Sequence, residues 1–148
     1  GHDIQVYPRT LKEIRLSAEE AAKYNEGDVL TASDIFKEGQ FVDVSGTTIG
    51  RGFSGVIRRH HFAGFVSSHG THEYFRHGGS IGTNMTPGRT LPGKKMPGQH
   101  GNTRSTMQNL KVVRVIADQN LVLIEGAVPG AAEGIVTVRG AIKNGRHA

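Results

Sequence analysis

Met107-Gln-Asn-Leu-Lys-Val-Val-Arg-Val-Ile-Ala117, then Asp118-Gln-Asn120, then Leu121-Val-Leu-Ile-Glu125 is the stretch from which the fold class can be read. Its two outer runs are rich in Val, Ile and Leu, residues that suit a pleated, half-buried surface, and its middle three residues are turn formers. Two such runs around a short polar turn predict an antiparallel hairpin. Upstream, Gln40-Phe-Val-Asp-Val-Ser45 alternates Phe41 and Asp43 with Val42 and Val44, as a half-buried strand does. Downstream, a Pro/Gly loop over 126–134 leads to Ile135-Val-Thr-Val-Arg139, a further short strand. Leu11–Leu16 alternates loosely and is expected to be a strand as well. Ser17-Ala-Glu-Glu20 is a capping box, so a short helix should follow and stop near Asn25-Glu-Gly27, with one helical turn later at Ser33–Phe36. The expected class is mainly β: a barrel-like body from 1–49 and 107–148, with a short helix near the N-terminus. Its core candidates are Val42, Val44, Val113, Val115, Leu121, Leu123, Val136 and Val138. The polar tail from Lys143 is expected to fray.

Residues 50–106 follow neither period. Twelve of the chain's 21 Gly lie between Gly50 and Gly101, with Pro87, Pro92 and Pro97 among them, and the apolar residues are scattered. Only Gly52–His61 has room for a short helix or strand. Such a segment buries too little to offset its ordering entropy, so an extended arm ordered by a partner is expected. Charge separates the segments too. Residues 1–50 are net −4, residues 112–148 net +1, and residues 51–111 carry nine Lys or Arg against one acid, Glu73, for net +8. Six of the eight His lie in that same segment. A concentrated, nearly uncompensated positive charge is what a polyanion-binding surface requires.

The 148 residues suffice for one ordinary domain, and their 36% apolar content is below the globular average of about 45–50%. Having no Cys excludes a disulfide scaffold, an iron–sulfur cluster and a thiolate zinc site. No apolar run approaches the roughly 18–20 residues of a membrane span and no secretory pattern is present, so a soluble intracellular protein is expected.

The arm's chemistry is that of RNA binding. Arg matches phosphate oxygens with a planar fork, Lys supplies a point charge, Gly lets backbone amides approach, and Phe, Tyr and His rings stack on unpaired bases. Arg58-Arg59-His60-His61-Phe62 and Gly93-Lys-Lys-Met-Pro-Gly-Gln-His-Gly101 each combine several of these. The candidate RNA-binding residues are Arg51, Arg58, Arg59, His60, His61, Arg76, Arg89, Lys94, Lys95, His100 and Arg104. One alternative is a His-rich metal-binding enzyme, with His69 and His72 as an i, i+3 pair; it suffers from having one nearby acid and no regular helix. Ser67-Ser-His69 lacks a nucleophile elbow and an orienting carboxylate, and Gly93-Lys94 lacks the rest of a P-loop. No catalytic residue, metal or cofactor is therefore assigned. A second alternative is a non-ribosomal RNA chaperone.

The string Gly50-Arg-Gly-Phe-Ser-Gly-Val-Ile-Arg-Arg-His60, Ser68-His-Gly70, Gly79-Ser-Ile-Gly82, Thr86-Pro-Gly-Arg89, Gly93-Lys-Lys-Met-Pro-Gly98, Gln108-Asn-Leu110 and Gly126-Ala-Val-Pro-Gly130 resembles the universal large-subunit ribosomal protein L-three family, in its bacterial style. The resemblance covers roughly residues 40–143. It implies a β-barrel body with a long irregular loop threaded into large-subunit rRNA toward the peptidyl-transferase centre, a role early in subunit assembly, and no catalysis. Its implied partners are that rRNA and neighbouring ribosomal proteins, in the cytoplasmic ribosome and not at a membrane. It implies that Arg51, Arg58, Arg59, His60, Arg89, Lys94, Lys95 and Arg104 lie against rRNA, and that Met96–Gly101 is at or near the arm's tip. Gln99 matches a position that some bacterial members carry as a glutamine methylated on its side-chain amide by a dedicated methyltransferase. Family members usually begin with roughly sixty further residues that include barrel strands, so this chain, lacking that N-terminal part, is expected to form an incomplete barrel.

Overall fold

The computed structural model describes residues 9–143. The strands are β1 (Phe41–Thr47), β2 (Phe53–Ser54), β3 (Gly98–Gln99), β4 (Arg104–Ile116), β5 (Leu121–Glu125) and β6 (Val136–Gly140). The helices are α1 (Ala18–Ala21), α2 (Ala32–Ile35) and α3 (Val56–His60). The expected hairpin is β4–β5, turned by a 3-10 turn at Ala117–Gln119 and by Asn120 at φ +51°, a left-handed conformation that Asn tolerates. It begins at Arg104, three residues earlier than its apolar pattern indicates. The body is a four-stranded sheet in the order β5-β4-β1-β6, antiparallel at every pairing. Among the described residues it does not close, and β5 and β6 are its edges, compatible with an incomplete barrel-like body.

Val42, Val44 and Val112 are fully buried, and Phe36, Leu110, Val115, Val122, Ile124, Val136 and Val138 pack around them. Three expected core residues are not there. Val113 is 55% exposed, and Leu121 and Leu123 are each 42% exposed. For Val113 the cause is a bulge between Val112 and Arg114: Val112 faces Ile124 and Val115 faces Val122, so the inward phase of β4 changes across the extra residue. Strand β5 alternates regularly with Val122 and Ile124 inward, which leaves Leu121 and Leu123 outward. Strict alternation continued through a bulge picks the wrong face of β4, while in β5, apolar at four successive positions, alternation alone does not say which set points inward.

Strand β1 departs from alternation in a second way. Every residue from Val42 to Gly46 is buried, because both of its faces are covered. On the face of Val42 and Val44 the β5–β6 loop approaches so closely that a Cβ on Gly46 would lie 2.7 Å from the Pro129 carbonyl oxygen. Asp43 and Ser45 sit on the opposite face, Asp43 fully buried. Its carboxylate accepts from the Asn109 amide at 3.0 Å and the Ile142 amide at 3.4 Å, and pairs with the Arg139 guanidinium at 3.8 Å.

Leu11–Leu16 forms no strand. Leu11 is 84% and Ile14 71% exposed, and the segment instead borders a cleft of about 570 Å³ whose opposite wall includes Ile135, Val136 and Val138. A loosely alternating run becomes a strand only where a sheet edge pairs with its backbone, and none does so here. The capping box forms as expected: the Glu20 amide donates to Ser17 Oγ at 3.3 Å and the Ser17 amide donates to Glu20 Oε2 at 3.2 Å. The Ser17 hydroxyl, donating to Glu20 Oε2 at 2.9 Å, and then the Ser17 amide lower the Glu20 carboxyl below its ordinary pKa. The helix nonetheless ends at Ala21 rather than near Asn25, since none of its residues is buried and a cap alone does not propagate a helix. The later helical turn starts one residue early, at Ala32, whose amide donates to the Asn120 side chain at 2.7 Å and ties α2 to the hairpin turn. Of the tail from Lys143, all but its first residue lies outside the described residues.

Candidate nucleic-acid interface

The arm leaves the body as a continuation of β1 and β4. Its two legs are joined by backbone hydrogen bonds: Thr48 donates to Thr103 at 2.9 Å, Asn102 to Thr48 at 3.1 Å, Arg51 to His100 at 2.8 Å and His100 to Gly52 at 2.9 Å. The β2–β3 pair then sets Phe53 against Gln99 and Ser54 against Gly98. Gly101 is required at this root. Its φ is +71°, and any Cβ would collide with the Ile49 carbonyl.

Gly52–His61, open from sequence to helix or strand, holds both. Beyond β2, α3 buries Val56 and ends on His61 in the left-handed conformation at φ +60°. Arg58, Arg59 and His60 occupy its last turn, where the free carbonyls favour positive charge. Arg59 Nη1 donates to the Met96 carbonyl at 2.7 Å, and His60 Nε2 lies 3.0 Å from the same oxygen. Gly98 makes room for this: a Cβ there would sit 2.7 Å from Arg59 Nη1. Farther out, Phe65 donates to the Phe75 carbonyl at 2.9 Å across a 3-10 turn at His72–Arg76, and the Tyr74 and His77 rings pack at 4.7 Å.

Arg51, Arg58, His61, Arg76, Arg89, Lys94, Lys95, Gln99 and Arg104 are exposed, while Arg59, His60 and His100 are half-buried. The fold gathers some of them. Arg51, His100 and Arg104 border a pocket of about 430 Å³ at the arm's root, together with Thr48, Thr103 and Gly130. Arg76, Lys94 and Lys95 rim a second pocket of about 290 Å³ walled by Val56, Ile81 and Met96. Arg89 and His61 line neither. Within Met96–Gly101, Gly98 and Gln99 pair with β2, and residues 55–97 continue beyond that pair. Sequence reasoning missed the hydroxyls of Thr48, Thr103 and Ser105, which carry no motif and meet only because the legs pair.

Among the described residues the one ion pair is Asp43–Arg139, in the body, so no arm cation is matched by a carboxylate. His100 registers that field. Its pKa is lowered below the ordinary imidazole value first by burial, then by the charges of Arg51, Arg58, Arg59 and His60. Its Nδ1 is buried and meets no hydrogen-bond partner among the described residues. Nor, among those residues, do three His, Asp or Glu side chains converge as a metal would require. No helix among them is long and apolar enough to cross a membrane.

The family pattern described as ribosomal protein L3 matches residues 9–120, more than half of the chain and all of the arm. The chain belongs to the ribosomal protein L3 family. Among its relatives, the large ribosomal subunit protein uL3 of Sorangium cellulosum (strain So ce56) is 59% identical over 94% of this chain and 60% of its own length. The uL3 of Myxococcus xanthus (strain DK1622) is 54% identical over 93% of this chain and 61% of its own length. That of Chromobacterium violaceum is 50% identical over 91% of this chain and 63% of its own length. The chain thus spans about 60% of the length of the curated L3 relatives it matches.

Proposed function

We propose that this chain is a structural, non-catalytic constituent of the cytoplasmic large ribosomal subunit. Its arm binds and orders large-subunit rRNA toward the peptidyl-transferase centre during assembly, beside neighbouring ribosomal proteins. The observation that carries this reading is electrostatic. Residues 51–111 hold net +8, and among the described residues none of that charge is ion-paired. Such a field is costly until an extended polyanion neutralises it, and Arg51, Arg58, Arg76, Arg89, Lys94, Lys95 and Arg104 are all exposed to do so. Arg59 and His60 act more as braces, holding the legs together so that the exposed cations keep their spacing, and His100 joins the legs through its backbone. Gln99 is proposed as the acceptor for a glutamine methyltransferase. Its side chain is exposed, and its Nε2 makes only a long 3.4 Å bond to the His100 carbonyl.

Crosslinking the chain to large-subunit rRNA, followed by peptide mapping, tests the reading. Crosslinks should concentrate within 51–104. Crosslinks confined to the sheet, or equal yields with unrelated RNA, would overturn it. Mass spectrometry of the native protein should find an added methyl on the peptide containing Gln99; an unmodified peptide rejects that part.

A further inference from the structure

The pocket at the arm's root differs from the rest of the cationic surface. Two guanidinium-bearing side chains, Arg51 and Arg104, reach it from opposite legs of the arm, and His100 forms part of its wall. Thr103 and Ser105 bring hydroxyls, and Gly130 closes it from the body. The walls are set by backbone contacts. Gly101 abuts the Ile49 carbonyl, a Cβ on Gly130 would lie 2.8 Å from the Thr47 oxygen, and Thr48 Oγ1 donates to the Thr103 carbonyl at 3.1 Å. None of the residues lining it is acidic. This is a concave, donor-rich and positively charged enclosure, shared between arm and body.

Resting on the RNA-binding reading above, we propose that this pocket is a discrete phosphate site: it seats one phosphodiester of the bound RNA between Arg51 and Arg104, with His100 as its responsive wall, and so fixes the arm's direction relative to the sheet. The charge-assisted bonds from two guanidiniums on different legs are shorter and stronger than diffuse phosphate contacts, and both must be in place together. His100 makes occupancy visible. The groups that face it are Arg51, Arg58, Arg59 and His60, all basic, so the free pocket opposes its protonation. A seated anion offsets that opposition. The ring should then hold a proton more readily, and binding should tighten as pH falls through the raised value.

The test uses the 148-residue chain, an in vitro transcript of large-subunit rRNA, and inorganic phosphate as a second probe. Arg51→Gln with Arg104→Gln should weaken binding of the transcript about tenfold or more. By NMR, saturating transcript or phosphate should move the His100 ring and raise its pKa, and the double variant should abolish both effects. Tighter binding at pH 6 than at pH 8 should disappear in His100→Gln, which leaves His60 in place. If the transcript binds the native chain but the double variant binds equally well, or His100 does not respond, the pocket proposal is refuted while the RNA reading stands. If the native chain shows no preference for the transcript over unrelated RNA, but His100 still responds to phosphate, the pocket stands and the RNA reading fails.

Discussion

Replacing Asp43 with Ala should loosen both the body and the root of the arm. Asp43 opposes the irregular stretch of β4 where the register jumps from Val42↔Leu110 to Val44↔Met107, with Asn109 at φ +57°. The carboxylate holds that bulge through the Asn109 amide at 3.0 Å and the segment after β6 through the Ile142 amide at 3.4 Å. A hydrogen bond to a charged group contributes about 1.5–3 kcal/mol, and the longer of these two should fall below that range. The 3.8 Å pair with the half-exposed Arg139 adds about 0–1 kcal/mol after solvent screening. Asp43→Ala should therefore cost about 2–4 kcal/mol, a large part of the stability of an ordinary domain. Asp43→Asn keeps one acceptor oxygen but turns an amide group toward a donor, and should cost about 1–2 kcal/mol. Urea unfolding followed by circular dichroism gives the totals, while amide exchange at Asn109 and Ile142 locates them. Because the bulge sets the pairing of Thr47 with Arg104, the Arg51 and His100 amides should exchange faster too. A loss below about 0.5 kcal/mol in Asp43→Ala, with Asn109 exchange unchanged, would refute the staple.

Three other outcomes follow from the same structure. Lys94→Ala with Lys95→Ala should weaken rRNA binding and reduce the slope of log affinity against log salt by up to about two units, one per phosphate contact; an unchanged slope would show these lysines are off the phosphates. Gly101→Ala should cost about 1–3 kcal/mol through backbone strain and speed amide exchange at Arg51 and His100 while sparing β4–β5, so uniform exchange would count against a local root. Because the Ser17 contacts depress the Glu20 carboxyl, the cap should be fully present above the unfolded carboxylate's pKa and lost as pH falls through the lower folded value; a Ser17 amide shift that titrates only at or above the ordinary carboxylate range would contradict this.

Local chemistry made three things readable from the sequence. These were the hairpin around Asp118–Asn120, the capping box at Ser17–Glu20, and the contrast in composition and charge between the apolar strands and the cationic, Gly-rich residues 50–106. Each depends on neighbours a few residues apart, or on composition, and neither changes on folding. The long motif string likewise placed the chain in its family. Tertiary structure decided what depends on pairing. A bulge beside Val113 exchanged the inward and outward faces along β4, and coverage of β1 on both sides buried Asp43 along with Val42 and Val44. Leu11–Leu16 found no edge to pair with and stayed out of the sheet. Arg51 and Arg104 stand far apart in the chain and come to share a pocket only because Thr48–Gly52 hydrogen-bonds to His100–Thr103. A strand's register and a pocket's membership are set by partners distant along the chain, which no local pattern encodes.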